Sequence, residues 1–494
     1  MPTTEEIINI GFSLHQKGML DEAENAYNEA LKIDSSNAEV YNLIGVLKLQ
    51  KGETDEALKF VEQAIEKSPQ AYFYETLFQA LIRKENYAEI VKFEDYIMKN
   101  FSDNFSLLFN LAMAHKNLKN NKKAIALYEK ALNINPSSYQ GWFNLAHLYS
   151  VEAQTKNAVS ALKVCKKIRP NDDDTEYFLA LALMRTKDYE NGLKYFETRL
   201  CRETAVALLN KTYPNKVRID NLWKGENIKD KTLLVYYEAG FGDAIMFARY
   251  LPLARKRCKK LILMIQKPLG ELFRQNPHLG ADIVIDQFTP ENMIDFDVHL
   301  PMLSLPYTLK LKGNDVFAFS EGYMKADEQK AEEFREKYFN NDSVKIGIKW
   351  QGNTYYDKDR VIPTEAFIPL TNIDNIKLYS FQTFEGSDEV KKLLDVGVVD
   401  MGKEVKDFSD TASAISNMDL IICNDTSLVH LAGAMKKSCW VLLPHVYNWR
   451  WHEDLSKCDW YDSVKIFRQN TNGDWNSVFE SVEFELKKLL GSAE

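Results

Sequence analysis

A small residue recurs at a 34-residue interval through the first two-fifths of the chain. Ala23 and Ala57 lie one interval apart, and so do Ala124, Ala158 and Gly192 further along. The gap between Ala57 and Ala124 is close to two intervals and leaves room for one divergent copy. A fixed period of this length indicates one small structural unit that is stacked repeatedly. It constrains the fold of residues 1–200 more strongly than any single motif does.

The copies also share aromatic residues and a closing proline. Pro69, Pro136 and Pro170 stand near the ends of three copies. Small residues allow two helices to approach closely, aromatic side chains fill the space beside them, and proline ends the second helix. This is the pattern of the tetratricopeptide repeat (TPR). We predict about six units in residues 1–200, stacked as an all-α solenoid with a concave face.

Asparagines mark the first helices of three predicted units. Asn110 and Asn144 are one interval apart, and Asn42 falls one position out of that register. A row of amide side chains on the concave face could hydrogen-bond an extended peptide; the alternative is that these are solvated polar positions. Arrays of this kind usually bind protein, so we expect an acceptor protein or peptide to bind the concave face.

The sequence pattern changes after residue 200. We interpret residues 201–230 as a linker with one short packed segment around Trp223. From residue 231 short aliphatic runs alternate with helical patterns, which predicts parallel sheets with helices on both faces. The predicted strands are 232–237, 260–265, 282–285, 344–350, 377–381, 396–399, 420–423, 439–443 and 464–467. The predicted helices are 243–257, 268–275, 325–338, 386–395, 407–416, 427–436 and 474–490.

These elements divide into two α/β lobes, 231–325 and 326–494. In open parallel sheets ligands bind at the carboxyl ends of the strands, so we expect the site in the cleft between the two lobes.

Composition limits the classes of partner. The formal net charge of −9 argues against a nucleic-acid partner bound through bulk positive charge. The six cysteines show no CxxC spacing, which argues against a zinc site or a redox pair. The acidic start lacks a signal-peptide pattern, and no apolar run approaches the roughly 20 residues of a spanning helix. We therefore expect a cytoplasmic protein without a transmembrane segment.

The first candidate motif, Gly240-Phe-Gly-Asp243, stands where a predicted strand gives way to a helix. It lacks the third glycine of a dinucleotide fingerprint, because Ile245 occupies that position. Gly240 and Gly242 permit a close approach of a ligand to the backbone. Asp243 is either a functional carboxylate or an ordinary acid in the first turn of a helix.

The second motif runs from Cys423 to Gly433 and also joins a strand to a helix. Asp425, Thr426 and Ser427 would place hydroxyl groups and free backbone N–H groups at the helix start, which favours an anion site. His430 lies one turn further on and can face the same mouth. The alternative is a capping sequence followed by a packed histidine.

A third cluster surrounds the ends of the first two predicted strands of the second lobe, 344–350 and 377–381. Arg360 can bind a phosphate with two N–H groups, and Lys358 and Asn353 lie close to it in sequence. Gln382 ends a strand where a nucleoside would lie. The aromatic run from Tyr447 to His452 either stacks on a sugar or covers the lobe. No metal-binding pattern is evident, so we predict no metal.

Six segments together resemble a known family. They are GFGDAIMFARYLP (240–252), WQGN (350–353), DRVIP (359–363), FSDT (408–411), NDTSLVHLAGA (424–434) and LLPHVYNWRW (442–451). The set resembles TPR-containing glycosyltransferases whose catalytic half is related to the heptosyltransferases of lipopolysaccharide synthesis (glycosyltransferase family 9-like).

The resemblance implies a GT-B fold, with an acceptor lobe followed by a donor lobe, and inverting transfer from a nucleotide sugar without a metal or other cofactor. It implies that Asp243 is the general base and that Asp425, Thr426 and His430 belong to the donor site. Ser427 stands where the heptosyltransferases have glycine. Arg360 or Lys358 stands in for their diphosphate-binding lysine.

Two functions follow from this resemblance. In the first, the array holds an acceptor protein, such as flagellin or another bacterial surface protein, for glycosylation. In the second, the enzyme builds lipopolysaccharide or another glycan, and the array is a protein-interaction scaffold. The intact motifs disfavour a third possibility, a scaffold without activity.

Overall fold

The computed structural model describes residues 2–201, 219–287, 294–352, 358–383, 387–452, 454–455 and 457–491. The chain divides into two compact units, Met1–Asn171 and Asp172–Glu494. The array predicted for 1–200 therefore ends in the second unit. Its last helical pair, within residues 173–196, belongs to that unit because it contributes to the unit's hydrophobic core. Of the predicted linker, residues 202–218 lie outside the described ranges, and Trp223 is buried.

Residues 2–201 form six helical pairs, as the repeat predicts. The helices are α1 (Thr4–Gln16), α2 (Leu20–Ile33), α3 (Ala38–Lys51), α4 (Thr54–Lys67), α5 (Ala71–Arg83), α6 (Tyr87–Lys92), α7 (Glu94–Asn100), α8 (Phe105–Asn117), α9 (Asn121–Ile134), α10 (Tyr139–Val151), α11 (Thr155–Ile168), α12 (Asp173–Arg185) and α13 (Tyr189–Phe196). In the third pair the second helix is divided at Phe93 into α6 and α7. This pair is the divergent copy.

Small residues lie where the two helices of a pair touch. Ala23, Ala57 and Ala124 are completely buried. A Cβ atom built on Gly45 of α3 would come within 2.4 Å of the Cγ2 atom of Val61 on α4. Because a real Cβ cannot approach that closely, the small positions of the repeat set the distance between its helices.

The second unit contains a four-stranded and a six-stranded sheet, and all pairings recorded among the described residues are parallel. The smaller sheet has the order β3-β2-β1-β4 and consists of β1 (Ile228–Tyr236), β2 (Cys258–Met264), β3 (Ile283–Ile285) and β4 (Val298–Pro301). The larger has the order β10-β9-β8-β5-β6-β7 and consists of β5 (Val344–Lys349), β6 (Ile376–Ser380), β7 (Val399–Asp400), β8 (Leu420–Asn424), β9 (Cys439–Leu443) and β10 (Val464–Arg468).

Helices connect these strands. After α13 they are Phe241–Phe247, Leu251–Arg255, Gly270–Arg274, Leu305–Thr308, Glu328–Tyr338, Ser387–Leu394, Phe408–Ser416, Ser427–Ala434 and Trp475–Leu489. The predicted helix 243–257 is divided in two, and Pro252 lies in the first turn of the second part. Every helix in the described ranges is too short or too polar to cross a membrane.

Alternate side chains of β1 show that the smaller sheet is covered by a hydrophobic core on each of its two faces. Leu233 and Val235 pack into the largest core, whereas Leu234 and Tyr236 pack into a separate core on the opposite face. A parallel strand that is buried on both faces reads as a continuous apolar run, and this is how the sequence revealed it. The predicted class, an all-α TPR array followed by an α/β part with two Rossmann-like lobes, is confirmed.

The structure adds one strand to the nine that were predicted. β4 was missed because it has four residues and ends in Pro301, which cannot donate to a sheet ladder. β7 is confined to the later end of the predicted segment 396–399.

Candidate active site

β1 delivers a carboxylate to the carboxyl edge of the smaller sheet. After this strand the chain turns at Gly240, and helix Phe241–Phe247 begins. The Gly240 N–H donates a hydrogen bond of 3.1 Å to Oδ2 of Asp243. Asp243 therefore does serve as a first-turn acid at the helix start. Its second oxygen, Oδ1, faces away from this cap and pairs with the guanidinium of Arg450.

Gly242 is the point where helix Phe241–Phe247 meets helix Ser427–Ala434 of the other lobe. A Cβ atom built on Gly242 would lie 2.8 Å from Cδ2 of His430 and 3.4 Å from Cα of Ser427. In this structure the bare backbone of Gly242 thus accommodates a neighbouring helix. Gly240 is exposed, and a Cβ there would meet only Asp243, at 3.5 Å.

We expect Gly242→Ala to destabilise the second unit. The clash with the buried His430 ring should cost about 1–3 kcal/mol, which exceeds the roughly 1 kcal/mol that alanine gains over glycine within a helix. Gly240→Ala is the matched control, because its φ of −70° suits alanine and its Cβ meets no clash. Urea unfolding followed by tryptophan fluorescence measures both. Equal stability of the two variants would contradict the close-packing role.

β8 delivers the second motif to the carboxyl edge of the larger sheet. Thr426 is the extended N-cap residue of helix Ser427–Ala434, and no capping hydrogen bond from its side chain is recorded in the described structure. Nη1 of Arg360 lies 3.2 Å from Oδ2 of Asp425 and donates to the Asp425 carbonyl at 3.3 Å. The Asn424 side chain donates in turn to the Arg360 carbonyl at 3.0 Å. A cation and a helix start thus lie at one edge, which suits an anionic ligand.

His430 is buried behind this helix start. Nδ1 lies 3.1 Å from the Tyr461 hydroxyl, and the ring stacks on Trp451 with the ring centroids 5.9 Å apart. Burial, followed by the positive charges of Arg249 and Arg360, lowers the pKa of His430 to about 3. Its Nε2 atom is 4.0 Å from Oδ1 of Asp425. Because the ring is neutral near pH 7, this contact is not an ion pair.

The lowered pKa predicts a pH-dependent stability. The unfolded chain binds a proton on His430 below about pH 6.5, whereas the folded chain stays neutral until about pH 3. The free energy of unfolding should therefore fall with falling pH in this window, by up to about 1.4 kcal/mol per pH unit from this residue. His430→Gln should reduce that slope between pH 6.5 and 5.5, measured by urea unfolding. An unchanged slope would show that His430 titrates normally.

The aromatic run after β9 supplies the partner of Asp243. Tyr447, Trp449 and Trp451 are buried, as expected of residues that cover a lobe. Arg450 points out of this run to Asp243 and lies 4.8 Å above the Trp449 ring. Arg450 was not among the predicted site residues. The available signal was a single cation among aromatic residues in a loop that follows a buried strand.

The structure brings together only part of the predicted site. Asp243, Gly242, Ser427, His430 and Thr426 meet around the two helix starts. Of the other predicted residues, some join this group through a neighbour and others lie apart from it.

Arg360 joins the group through Asp425. Oε1 of the buried Gln382 accepts a hydrogen bond of 3.2 Å from the Gln351 N–H, so this side chain links the ends of β5 and β6. Lys358 is exposed, and Asn353 lies outside the described residues. Among the described residues, no group of three or more His, Cys, Asp or Glu side chains is arranged to hold a metal ion.

Comparison with known proteins identifies the repeats directly. Sequence models of the TPR match residues 11–52, 38–70, 105–138 and 127–161. A TPR repeat-containing protein of Methanocaldococcus jannaschii is 25% identical over 208 residues, which are 38% of this chain and 36% of that protein. The chain thus spans about a third of the length of this relative.

Two solved structures are similar to different parts of the chain. YrrB, described as a TPR protein with an unusual peptide-binding site, is 19% identical, with a TM-score of 0.31, and covers 34% of this chain and 88% of its own. A glycosyl transferase family 9 protein from Veillonella parvula is 13% identical, with a TM-score of 0.37, and covers 56% of this chain and 92% of its own. At these TM-scores neither likeness decides an activity.

Proposed function

We propose that this chain is a glycosyltransferase that moves a sugar from a nucleotide-sugar donor to an acceptor protein, with inversion at the anomeric carbon and without a metal. One observation carries the proposal: Asp243, which follows the carboxyl end of β1, comes directly after Gly242, and Gly242 packs against the start of helix Ser427–Ala434, which follows the carboxyl end of β8. A proton acceptor and an anion site on two facing parallel-sheet lobes are what such a transfer requires. The resemblance of the six motifs supports the same function.

The reaction assigns separate tasks to the two lobes. Asp243 accepts the proton of an acceptor hydroxyl while the hydroxyl oxygen attacks the anomeric carbon. The nucleoside diphosphate leaves as an anion. The N–H groups of Ser427 and the following residues, together with Arg360, stabilise the negative charge that develops on it. Asp425 fixes Arg360 at this edge, and the neutral His430 supports the helix start from behind.

The TPR array holds the acceptor in this proposal. Two of the three asparagines predicted on its concave face, Asn42 and Asn144, are buried and so are not solvated polar positions. Asn144 donates to the Tyr128 hydroxyl at 3.2 Å and accepts from Lys116 at 3.3 Å. Asn42 is buried, and its Oδ1 atom has no hydrogen-bond partner among the described residues. Asn110 is partly exposed on the first helix of its unit. Asn42 and Asn144 are buried, so they do not face a ligand directly, and Asn110 is the amide that the proposal assigns to an extended peptide.

A thermal-shift screen tests the proposed function. The purified chain is heated with UDP-, GDP-, ADP- and dTDP-sugars in the presence of EDTA. A ligand that binds only the folded state raises the melting temperature, by an amount that corresponds to about 2.7 kcal/mol at a hundredfold excess over Kd. We expect at least one donor to stabilise the second unit. A uniform absence of stabilisation would remove the transferase proposal. A cytoplasmic location remains part of the proposal.

A further inference from the structure

A partly buried ion pair joins the two lobes at the candidate site. Asp243 belongs to the helix that follows β1, and Arg450 belongs to the loop that follows β9. The guanidinium of Arg450 pairs with Oδ1 of Asp243, and the two side chains keep 12% and 19% of their surface exposed. Neither the resemblance nor the repeat pattern assigns a role to this arginine.

The pairing works against Asp243 as a base. Oδ2 already accepts the Gly240 N–H, and Oδ1 faces the positive charge of Arg450. An adjacent cation favours the ionised form of a carboxylate and opposes its protonation. A general base must take up a proton, so this carboxylate is held in a poorly basic state as long as Arg450 stays beside it.

Arg450 itself is poorly solvated and incompletely paired. Nη1 donates to the Asn448 side chain at 2.8 Å, whereas Nε is buried and has no partner among the described residues. Burial lowers the pKa of Arg450 to about 10, so the side chain is still charged at neutral pH. A desolvated cation with an unused N–H group has a strong preference for an anion.

The neighbours of Arg450 lie at the start of helix Ser427–Ala434, where the anion of the donor is expected. Trp451, the next residue, stacks on His430 in the first turns of helix Ser427–Ala434. Gly242, the residue before Asp243, packs against Ser427 at the same helix start. Arg450 thus pairs with the residue after Gly242 and precedes the residue that stacks on His430, so it is next to the residues that meet at this helix start.

We infer that Arg450 exchanges partners in the course of the reaction: it leaves Asp243 for the diphosphate of the bound donor and thereby frees Asp243 to act as the base. This inference rests on the proposed function. A diphosphate carries more negative charge than a single carboxylate and can engage both Nε and Nη2. Donor binding thus activates the base, which stays inactive in the empty site.

The exchange fits a balanced transfer step. The acceptor O–H bond breaks, and its proton goes to the freed carboxylate of Asp243. The hydroxyl oxygen forms a bond to the anomeric carbon. The bond from that carbon to the phosphate oxygen breaks, and its electron pair leaves with the nucleoside diphosphate, which Arg450 now binds. The proton on Asp243 passes to water after the product leaves.

Calorimetric titration of the full chain tests the exchange without any turnover. The probe is the nucleoside diphosphate, among UDP, GDP, ADP and dTDP, that binds the wild-type chain most tightly. If Asp243 competes for Arg450, Asp243→Asn should tighten binding of the probe roughly five- to tenfold, since an ion pair of this kind is worth about 1 kcal/mol. Arg450→Gln should weaken it roughly ten- to a hundredfold. In an Arg450→Gln background, Asp243→Asn should have no further effect.

A matched carboxylate provides the control. Asp282 pairs with Arg255 at 2.9 Å near the amino end of β3, at the opposite edge of the same sheet. Asp282→Asn should leave the affinity for the probe unchanged. If the wild type binds the probe tightly and Asp243→Asn binds it equally well or more weakly, the exchange is overturned. The proposed function would not be affected by that result. Failure of all four nucleotides to bind the wild type would overturn the proposed function and the exchange with it. If Arg450→Gln does not fold, the Asp243→Asn titration still decides.

Discussion

Asp243→Asn should reduce the rate of sugar transfer about a thousandfold, within the 10²–10⁴ range typical of a lost general base. Asparagine preserves the shape of the side chain and can still accept the Gly240 N–H, so the helix start should remain intact. It cannot accept the proton of the acceptor hydroxyl, and the attacking oxygen stays a poor nucleophile. Release of nucleoside diphosphate in the presence of acceptor measures this rate.

Two controls make the result specific to the carboxylate. Asp282→Asn also removes one member of an arginine–carboxylate pair, and it should retain the wild-type rate. The melting temperature of Asp243→Asn should stay within a few degrees of the wild type, because the altered residue is partly exposed at a helix start. Transfer at a near-normal rate by a folded Asp243→Asn chain would remove Asp243 from the mechanism.

Removal of the first compact unit should separate recognition of the acceptor from chemistry. A chain that begins at Asp172 keeps both sheets and the helical pair α12–α13, which shares their core. We expect transfer to protein to fall at least a hundredfold, because a tethered binding array raises the effective concentration of its ligand by about 10²–10⁴. Hydrolysis of the donor, in which water is the acceptor, should change less than about threefold, since water needs no array.

This comparison also distinguishes the two proposed acceptors. Loss of transfer to protein with retained transfer to a saccharide supports an array that holds a protein acceptor. Equal retention of both reactions would favour glycan assembly with the array as a scaffold. Cooperative melting of the shortened chain is the check on folding. If it fails, Asn110→Ala in the full chain tests the predicted concave face with less disruption.

The elements that the sequence predicts correctly share one property: their signal is local. The 34-residue period marks the helical pairs because most of them repeat a close contact at a small residue, as at Gly45 and Val61. The buried strands of both sheets stand out because parallel strands covered on both faces are continuous apolar runs. β4 lacked that signal because it is short and ends in Pro301.

The candidate site was harder to predict from the sequence, because its contacts join residues that are far apart in the chain. Asp243 and the segment Asp425–His430 each follow a buried strand, and this placed them at a carboxyl edge from sequence alone. Nothing local shows that Gly242 packs against His430 or that Arg450 reaches Asp243. The glycine looked suited to a ligand, whereas the structure shows a helix against it. Pairings between lobes depend on the tertiary fold, which a motif does not encode.

A crystal of the full chain soaked with the nucleoside diphosphate that binds most tightly, in the presence of EDTA, tests the central claim most directly. We expect density for the diphosphate at the start of helix Ser427–Ala434, within hydrogen-bond distance of Arg450 or Arg360, with the Asp243 carboxylate opposite it. A nucleotide bound elsewhere on the second unit, or one that binds only when Mg²⁺ is restored, would contradict a metal-free transfer between these two lobes.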